Sequence, residues 1–234
     1  MKYEELGRGI VKRAERRLLG LFIDGTGLDR ATRRLNRKVD MTALVRGVTS
    51  GASPVVARYY TLIPYEDDSR QRAFLDAVNR AGLQVIVKRL PPKGISRQVA
   101  VDVEMAADIL AFAMGHTKFG ALSEYIPEEK QGVGPDALHK IAEKQALKES
   151  NGTQASDAHP STTTVENGNG DEKKTRRIIT LVCPCRDLSY PISLANELGA
   201  ETTTADFGEF AGSDVLKSAA KWIDLSGSET IWRE

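Results

Sequence analysis

Apolar, β-branched runs alternate with amphipathic segments from residue 18 almost to the last residues given, and this alternation restricts the fold more than any other feature. Residues 18–24, 55–63, 83–88, 178–183 and 201–205 read as strands. Residues 30–47, 66–81, 99–114, 187–198 and 214–223 read as helices, with Asp29 as the expected cap of the first and Gly82 and Gly199 as stop signals. Strands that alternate with helices through short connections pack as an α/β fold, a mainly parallel central sheet with helices on both faces. Right-handed crossovers then leave few topologies.

The periodicity fails in two places. Residues 1–17 read as a polar, basic N-terminal helix. From 117 to 176 the pattern fades, apart from a short helical stretch at 136–149. The Ser/Thr/Asn/Gly-rich tract at 151–169 cannot bury enough apolar area to offset ordering entropy. Strand signals resume directly afterwards, so 117–176 reads as a largely disordered insertion, placed where it could screen the site. The expected organisation is a single domain formed by 18–116 and 177–226, with 227–234 as a C-terminal tail. A chain of 234 residues, 41% of them hydrophobic, supports one substantial core of this kind.

The formal net charge of +1 hides an uneven distribution. Basic residues outnumber acids between Met1 and Lys38, which suits a polyanionic partner such as nucleic acid, or equally a solvated helix face. Cys183 and Cys185 are the two cysteines, spaced i and i+2, so a disulfide framework is not expected and a cytoplasmic setting is. No apolar run reaches the ~18 residues that span a bilayer, so no membrane partner is expected. Homodimerisation is left open.

Carboxylates collect at three strand ends. Asp24 closes Leu21-Phe22-Ile23-Asp24-Gly25-Thr26-Gly27; Asp102, Glu104 and Asp108 open the helix after the third strand; Asp187 follows Cys183-Pro184-Cys185-Arg186. In a parallel sheet these ends share one edge, where ligands gather. Acids converging there would repel one another unless a cation neutralised them, and an all-oxygen set suits Mg²⁺ or Mn²⁺. Such an ion supports phosphodiester hydrolysis. Helix capping is the plain alternative, and the favoured one for Asp187 taken alone. Arg30, Arg33, Arg34 and Arg37 recur at helical spacing after Asp24 and are candidates for binding phosphate, with a solvated face as the alternative; Arg186, inside the third acidic motif, is a candidate for contacting phosphate or for neutralising Asp187. Gly25-Thr26-Gly27 is no dinucleotide fingerprint, because Arg30 stands where the third glycine belongs. Thr26 stands where an aspartyl phosphotransferase would carry its second aspartate. His116, His139 and His159 have no acidic or thiol partners in sequence and read as solvent-exposed. Tyr59 and Tyr60 read as packing residues.

Phe22-Ile23-Asp24-Gly25, Lys93-Gly94 leading to Val101-Asp102-Val103 with Asp108, Leu181-Val182-Cys183-Pro184-Cys185-Arg186-Asp187-Leu188 with Glu197-Leu198-Gly199, and the closing 219–225 segment occur in the order found in the NYN-domain family. The chain resembles that branch of the PIN-like nucleases over 18–114 and 177–225. The resemblance implies a Rossmann-like PIN fold and a metal-dependent ribonuclease. Asp24, Asp102 and Asp187 would be the acidic site, with Asp108 as a further metal candidate and Mg²⁺ or Mn²⁺ as cofactor. A catalytically degenerate RNA-binding or protein-interaction module on the same fold is the alternative.

Two positions depart from the family pattern. Gly27 stands where the family usually has asparagine, and Cys185 stands where it has the first aspartate of the third motif. A thiol is a poor Mg²⁺ ligand, so this change bears on metal affinity and turnover. The plainest reading of Cys185 itself is a small, partly buried residue at a strand end.

Overall fold

The computed structural model describes residues 15–66, 69–96, 98–120, 124–127, 175–208 and 213–233. The chain divides into two units, one made of Met1–Tyr125 with Glu172–Glu234 and the other of Ile126–Asp171. Apart from Ile126 and Pro127, the described residues belong to the first. Residues 1–14 of the helix expected over 1–17, the helix expected at 136–149, and 121–123 and 128–174 of the insertion expected over 117–176 lie outside the described residues, as do His139 and His159; Thr175 and Arg176, expected as the end of that insertion, belong to a strand.

Six strands form one wholly parallel sheet: β1 (Arg16–Asp24), β2 (Val56–Ile63), β3 (Gln84–Arg89), β4 (Thr175–Val182), β5 (Glu201–Asp206) and β6 (Lys221–Asp224), in the order β3-β2-β1-β4-β5-β6. Among the described residues the α-helices are α1 (Gly25–Leu35), α2 (Met41–Val48), α3 (Ser69–Arg80), α4 (Asp102–Ala113), α5 (Ser189–Glu197) and α6 (Ser213–Ser218). The expected α/β architecture with a parallel sheet is what the chain adopts. Its strand order is the doubly wound one, which reverses direction between β1 and β4.

Period-two alternation sends neighbouring strand residues into opposite cores. Leu21 and Ile23 of β1 pack with Tyr59 and Val85 against α1, α2 and α3. Phe22, Tyr60, Ile86 and Leu181 face the other way, against α4, α5 and α6. Phe22 meets Phe112 edge-to-face at 6.1 Å between ring centres. Both faces of the central strands are covered, which explains why β1 reads as continuously apolar. Each fully buried large side chain such as Leu21 or Ile23 contributes about 1.5–3 kcal/mol of transfer free energy.

Four expectations are corrected. Arg16 and Arg17, assigned to an N-terminal helix, extend β1 and pair with Thr175 and Arg176 of β4. The single helix expected over 30–47 is two. α1 starts five residues before Arg30, capped by Asp24 rather than Asp29, and ends where Asn36 adopts a left-handed conformation (φ 49°) and Arg37 N–H donates to Thr32 O at 3.1 Å. Asp40 then caps α2 by accepting from Ala43 N–H at 2.9 Å. The break removes Arg37 from the helical face expected for Arg30, Arg33 and Arg34. The helix expected over 214–223 stops at Ser218, and Lys221–Asp224 forms the edge strand β6. Four residues are too short for strand periodicity to register.

The segment expected as a tail from 227 onward packs on the α2 side. Ile231 and Trp232 are buried, Asp40 N–H donates to Ile231 O at 2.8 Å, and Arg233 N–H donates to Lys38 O at 2.8 Å. Phe207 lies 5.4 Å from the Trp232 ring, and the Arg37 guanidinium sits 4.3 Å above it.

Candidate metal centre at the sheet reversal

Asp24 ends β1, Asp102 opens α4, and Cys185 follows β4, so all three stand where the sheet changes direction. One carboxylate oxygen of each aspartate and the Cys185 sulfur lie within 4.8 Å of one another. This is the group of metal-ligand type that the described residues form.

Asp24 is 3% exposed and accepts from Gly27 N–H at 2.9 Å, so its carboxylate both caps α1 and faces the group. Burial, the largest effect, pushes its pKa up to about 6 from the usual 3.8. The Asp102 charge adds to this rise, while the Gly27 and Thr26 N–H groups and the Arg30 guanidinium oppose it. Cys185 is half-buried, and its thiol is pushed up to about 12, chiefly by burial and then by the neighbouring Asp102 and Asp24 charges. The other cysteine is committed elsewhere: the Cys183 thiol hydrogen-bonds Asp206 and is held protonated by burial.

The backbone around the group leaves little latitude. Cys183 has φ 50°, a left-handed conformation seldom adopted by a residue with a side chain. A Cβ on Gly27 would stand 2.2 Å from the Cys183 carbonyl oxygen, and a Cβ on Gly25 would stand 2.3 Å from the Tyr59 ring. The family's asparagine therefore does not fit at Gly27 on this backbone.

The other expected site residues are placed differently. Asp187 is exposed in the 3-10 turn Arg186–Leu188 and stands outside the three-residue group. Asp108 is turned into the core beside β2. Its Oδ2 accepts from Arg58 Nη1 at 2.6 Å and from the Tyr60 hydroxyl at 2.7 Å. Arg58 also donates to Gln84 Oε1 at 2.8 Å, so Asp108 neutralises a buried guanidinium. Glu104 pairs with Lys88 at 3.4 Å. Among the arginines, Arg33 pairs with Asp29, Arg37 with Glu229 and Arg186 with Asp214, at 3.0, 3.3 and 3.0 Å. Arg30 and Arg34 are exposed on α1. His116 is exposed, and Tyr59 and Tyr60 are buried, as expected.

Directly after Asp24, Gly25 and Thr26 open a cavity of about 780 Å³. Arg37, Lys38, Arg70 and Arg233 line it, together with the apolar surfaces of Leu28 and Phe74. The sequence indicated the cations after Asp24 but not Arg70 or Arg233, which reach the same wall from distant segments.

The two carboxylates fit a divalent ion, as the sequence implied. The third donor, a thiol, is one that Mg²⁺ accepts poorly. The sequence marked Cys185 as the position of a lost aspartate, and the geometry brings it into the group.

These features define a class first: a doubly wound α/β protein with a carboxylate–thiol group of metal-ligand type at its switch point. The family likeness is also direct, since residues 18–122 match the family model described as NYN domain. Asp24 and Asp102 lie inside that stretch and Cys185 beyond it. No curated protein matches the sequence. A crystal structure of a protein of unknown function from Vibrio parahaemolyticus is similar with a TM-score of 0.57 at 12% identity, covering 94% of this chain and 97% of that one. At that identity the likeness is one of fold. No helix among the described residues is long and apolar enough to cross a membrane.

Proposed function

We propose that this chain is a divalent-metal-dependent ribonuclease that hydrolyses RNA phosphodiester bonds at the Asp24–Asp102–Cys185 group. The observation that carries the reading is the convergence of these side chains at the switch point, with both aspartates inside the NYN-matched stretch. When bound, a divalent ion supplies positive charge toward phosphoryl oxygens and acidifies water. Asp24 and Asp102 hold the ion, and the Gly27 N–H fixes the Asp24 carboxylate in place. Asp187, two residues past Cys185, orients water or substrate from outside the group. Arg30, whose charge already acts on Asp24, anchors the phosphate nearest the site. Arg34, Arg33 and Arg186 contribute a surrounding positive field. The adjoining cavity takes the next nucleotides, with phosphates against Arg37, Lys38 and Arg233 and bases against its apolar wall.

A second reading, a catalytically weakened RNA-binding module, draws support from Cys185 in place of the family's aspartate. Labelled single-stranded and structured RNA, incubated with Mg²⁺, Mn²⁺, Zn²⁺ or EDTA, separates the two. Metal-dependent cutting that Asp24→Asn abolishes supports the nuclease. Salt-sensitive binding without cutting, retained in Asp24→Asn, supports the binding module.

A further inference from the structure

Sulfur changes the metal chemistry of this group more than it changes its shape. Mg²⁺ takes oxygen ligands and keeps much of its water, whereas thiolate favours Zn²⁺ and other transition ions of intermediate hardness. The backbone presents Cys185 firmly, since Leu188 N–H donates to its carbonyl oxygen at 3.1 Å and closes the turn behind it. Its sulfur lies within 4.8 Å of a carboxylate oxygen of both Asp24 and Asp102, so one ion can meet all three donors. Cys183, the other thiol, is buried against Asp206 and stands outside the group. Two carboxylates and one sulfur also make three protein ligands, the number that leaves a four-coordinate ion one position open to water or substrate.

We propose that the Asp24–Asp102–Cys185 group selects Zn²⁺ or a similar transition-metal ion over Mg²⁺, with the Cys185 sulfur as a direct ligand. The inference rests on reading this group as the metal site, and it does not require RNA to be the substrate. Binding breaks the Cys185 S–H bond; the proton leaves to water, and the sulfur lone pair is donated to the ion.

Titration of the full chain with Co²⁺, a spectroscopic substitute for Zn²⁺, tests this without any activity measurement. A near-ultraviolet sulfur-to-cobalt charge-transfer band is expected in the wild type and in Cys183→Ser, and is absent in Cys185→Ser. Losing a ligand should cost no less than losing an outer-shell partner, so the ratio of Zn²⁺ to Mg²⁺ affinity falls about tenfold or more in Cys185→Ser and in Cys185→Asp. Zn²⁺, but not Mg²⁺, should slow alkylation of Cys185 in the wild type, which decides the matter even if a variant fails to fold. The inference is overturned by any of three results: no band with wild type, a band that survives in Cys185→Ser, or an unchanged affinity ratio. A cobalt–sulfur band without RNA cutting under any ion leaves this inference standing and removes the nuclease reading. Mg²⁺-supported cutting without the band does the reverse.

Discussion

The Cys183 carbonyl oxygen occupies the space into which any side chain on Gly27 would grow, 2.2 Å from the ideal Cβ position. The chain just after β4 and the first turn of α1 thus approach each other too closely for a side chain to stand between them. Gly27→Ala must displace either the Cys183 peptide or the α1 N-terminus, and overpacking of this kind costs about 1–3 kcal/mol. Urea denaturation should register that loss, and metal affinity should fall with it because Asp24 is oriented by the Gly27 N–H. An unchanged unfolding midpoint would show that the β4–α1 junction is slack.

The buried Asp24 carboxyl works against stability at neutral pH. Its pKa is raised from 3.8 to about 6, so the folded state holds its proton more tightly than the unfolded chain does. The resulting penalty is absent below about pH 4, grows through the interval between the two values, and is complete above about pH 6. By the ~1.4 kcal/mol per unit conversion it reaches on the order of 2–3 kcal/mol. Asp24→Asn keeps an oxygen for the Gly27 N–H and loses the charge. The metal-free variant should therefore be more stable than wild type at pH 7, and equal to it near pH 4. Thermal unfolding of both proteins across that range checks the sign; a variant less stable at pH 7 contradicts the placement.

Asp108 behaves oppositely. It is the counter-charge of Arg58, which is almost fully buried, and the acceptor of the Tyr60 hydroxyl. Asp108→Asn strands that guanidinium and should cost about 3–5 kcal/mol, the usual range for breaking a buried pair. Where the variant still folds, its metal affinity should match wild type. A loss of metal binding at unchanged stability would return Asp108 to the metal site.

RNA affinity tests the cationic wall. Removing one cation that neutralises a phosphate lowers the salt slope of log K by about one. Arg233→Gln and Lys38→Gln should each do so without changing base preference, and Arg30→Gln should weaken binding as well. Equal affinities and slopes across the three variants and the wild type would place the RNA elsewhere.

Leu21, Phe22 and Ile23 announced a strand because burial on both faces leaves an uninterrupted apolar run. The alternation of strands and helices carried the parallel sheet with it. The division of α1 from α2 was hidden because Asn36 ends a helix through a backbone conformation that leaves hydrophobic spacing nearly intact. β6 was hidden because Trp222 and Ile223 fit a helix face as well as an edge strand. The meeting of Asp24 with Asp102 followed from their shared sheet edge. Cys185 stands out in the sequence as a departure in the motif, but its entry into the group depends on the turn after β4, whose left-handed residue, Cys183, sequence spacing does not reveal.

The pairing of β1 with β4 joins Arg16–Ile23 to Thr175–Val182, segments far apart along the chain. On the ribosome, β3-β2-β1 is complete well before β4 is synthesised. Until then β1, bearing Leu21, Phe22 and Ile23, is an open apolar edge of the kind that recruits foreign strands. The seam that later brings Cys185 to the two aspartates is thus an open strand edge on the nascent chain, and a chaperone that shields such edges would aid yield in the period before β4 emerges.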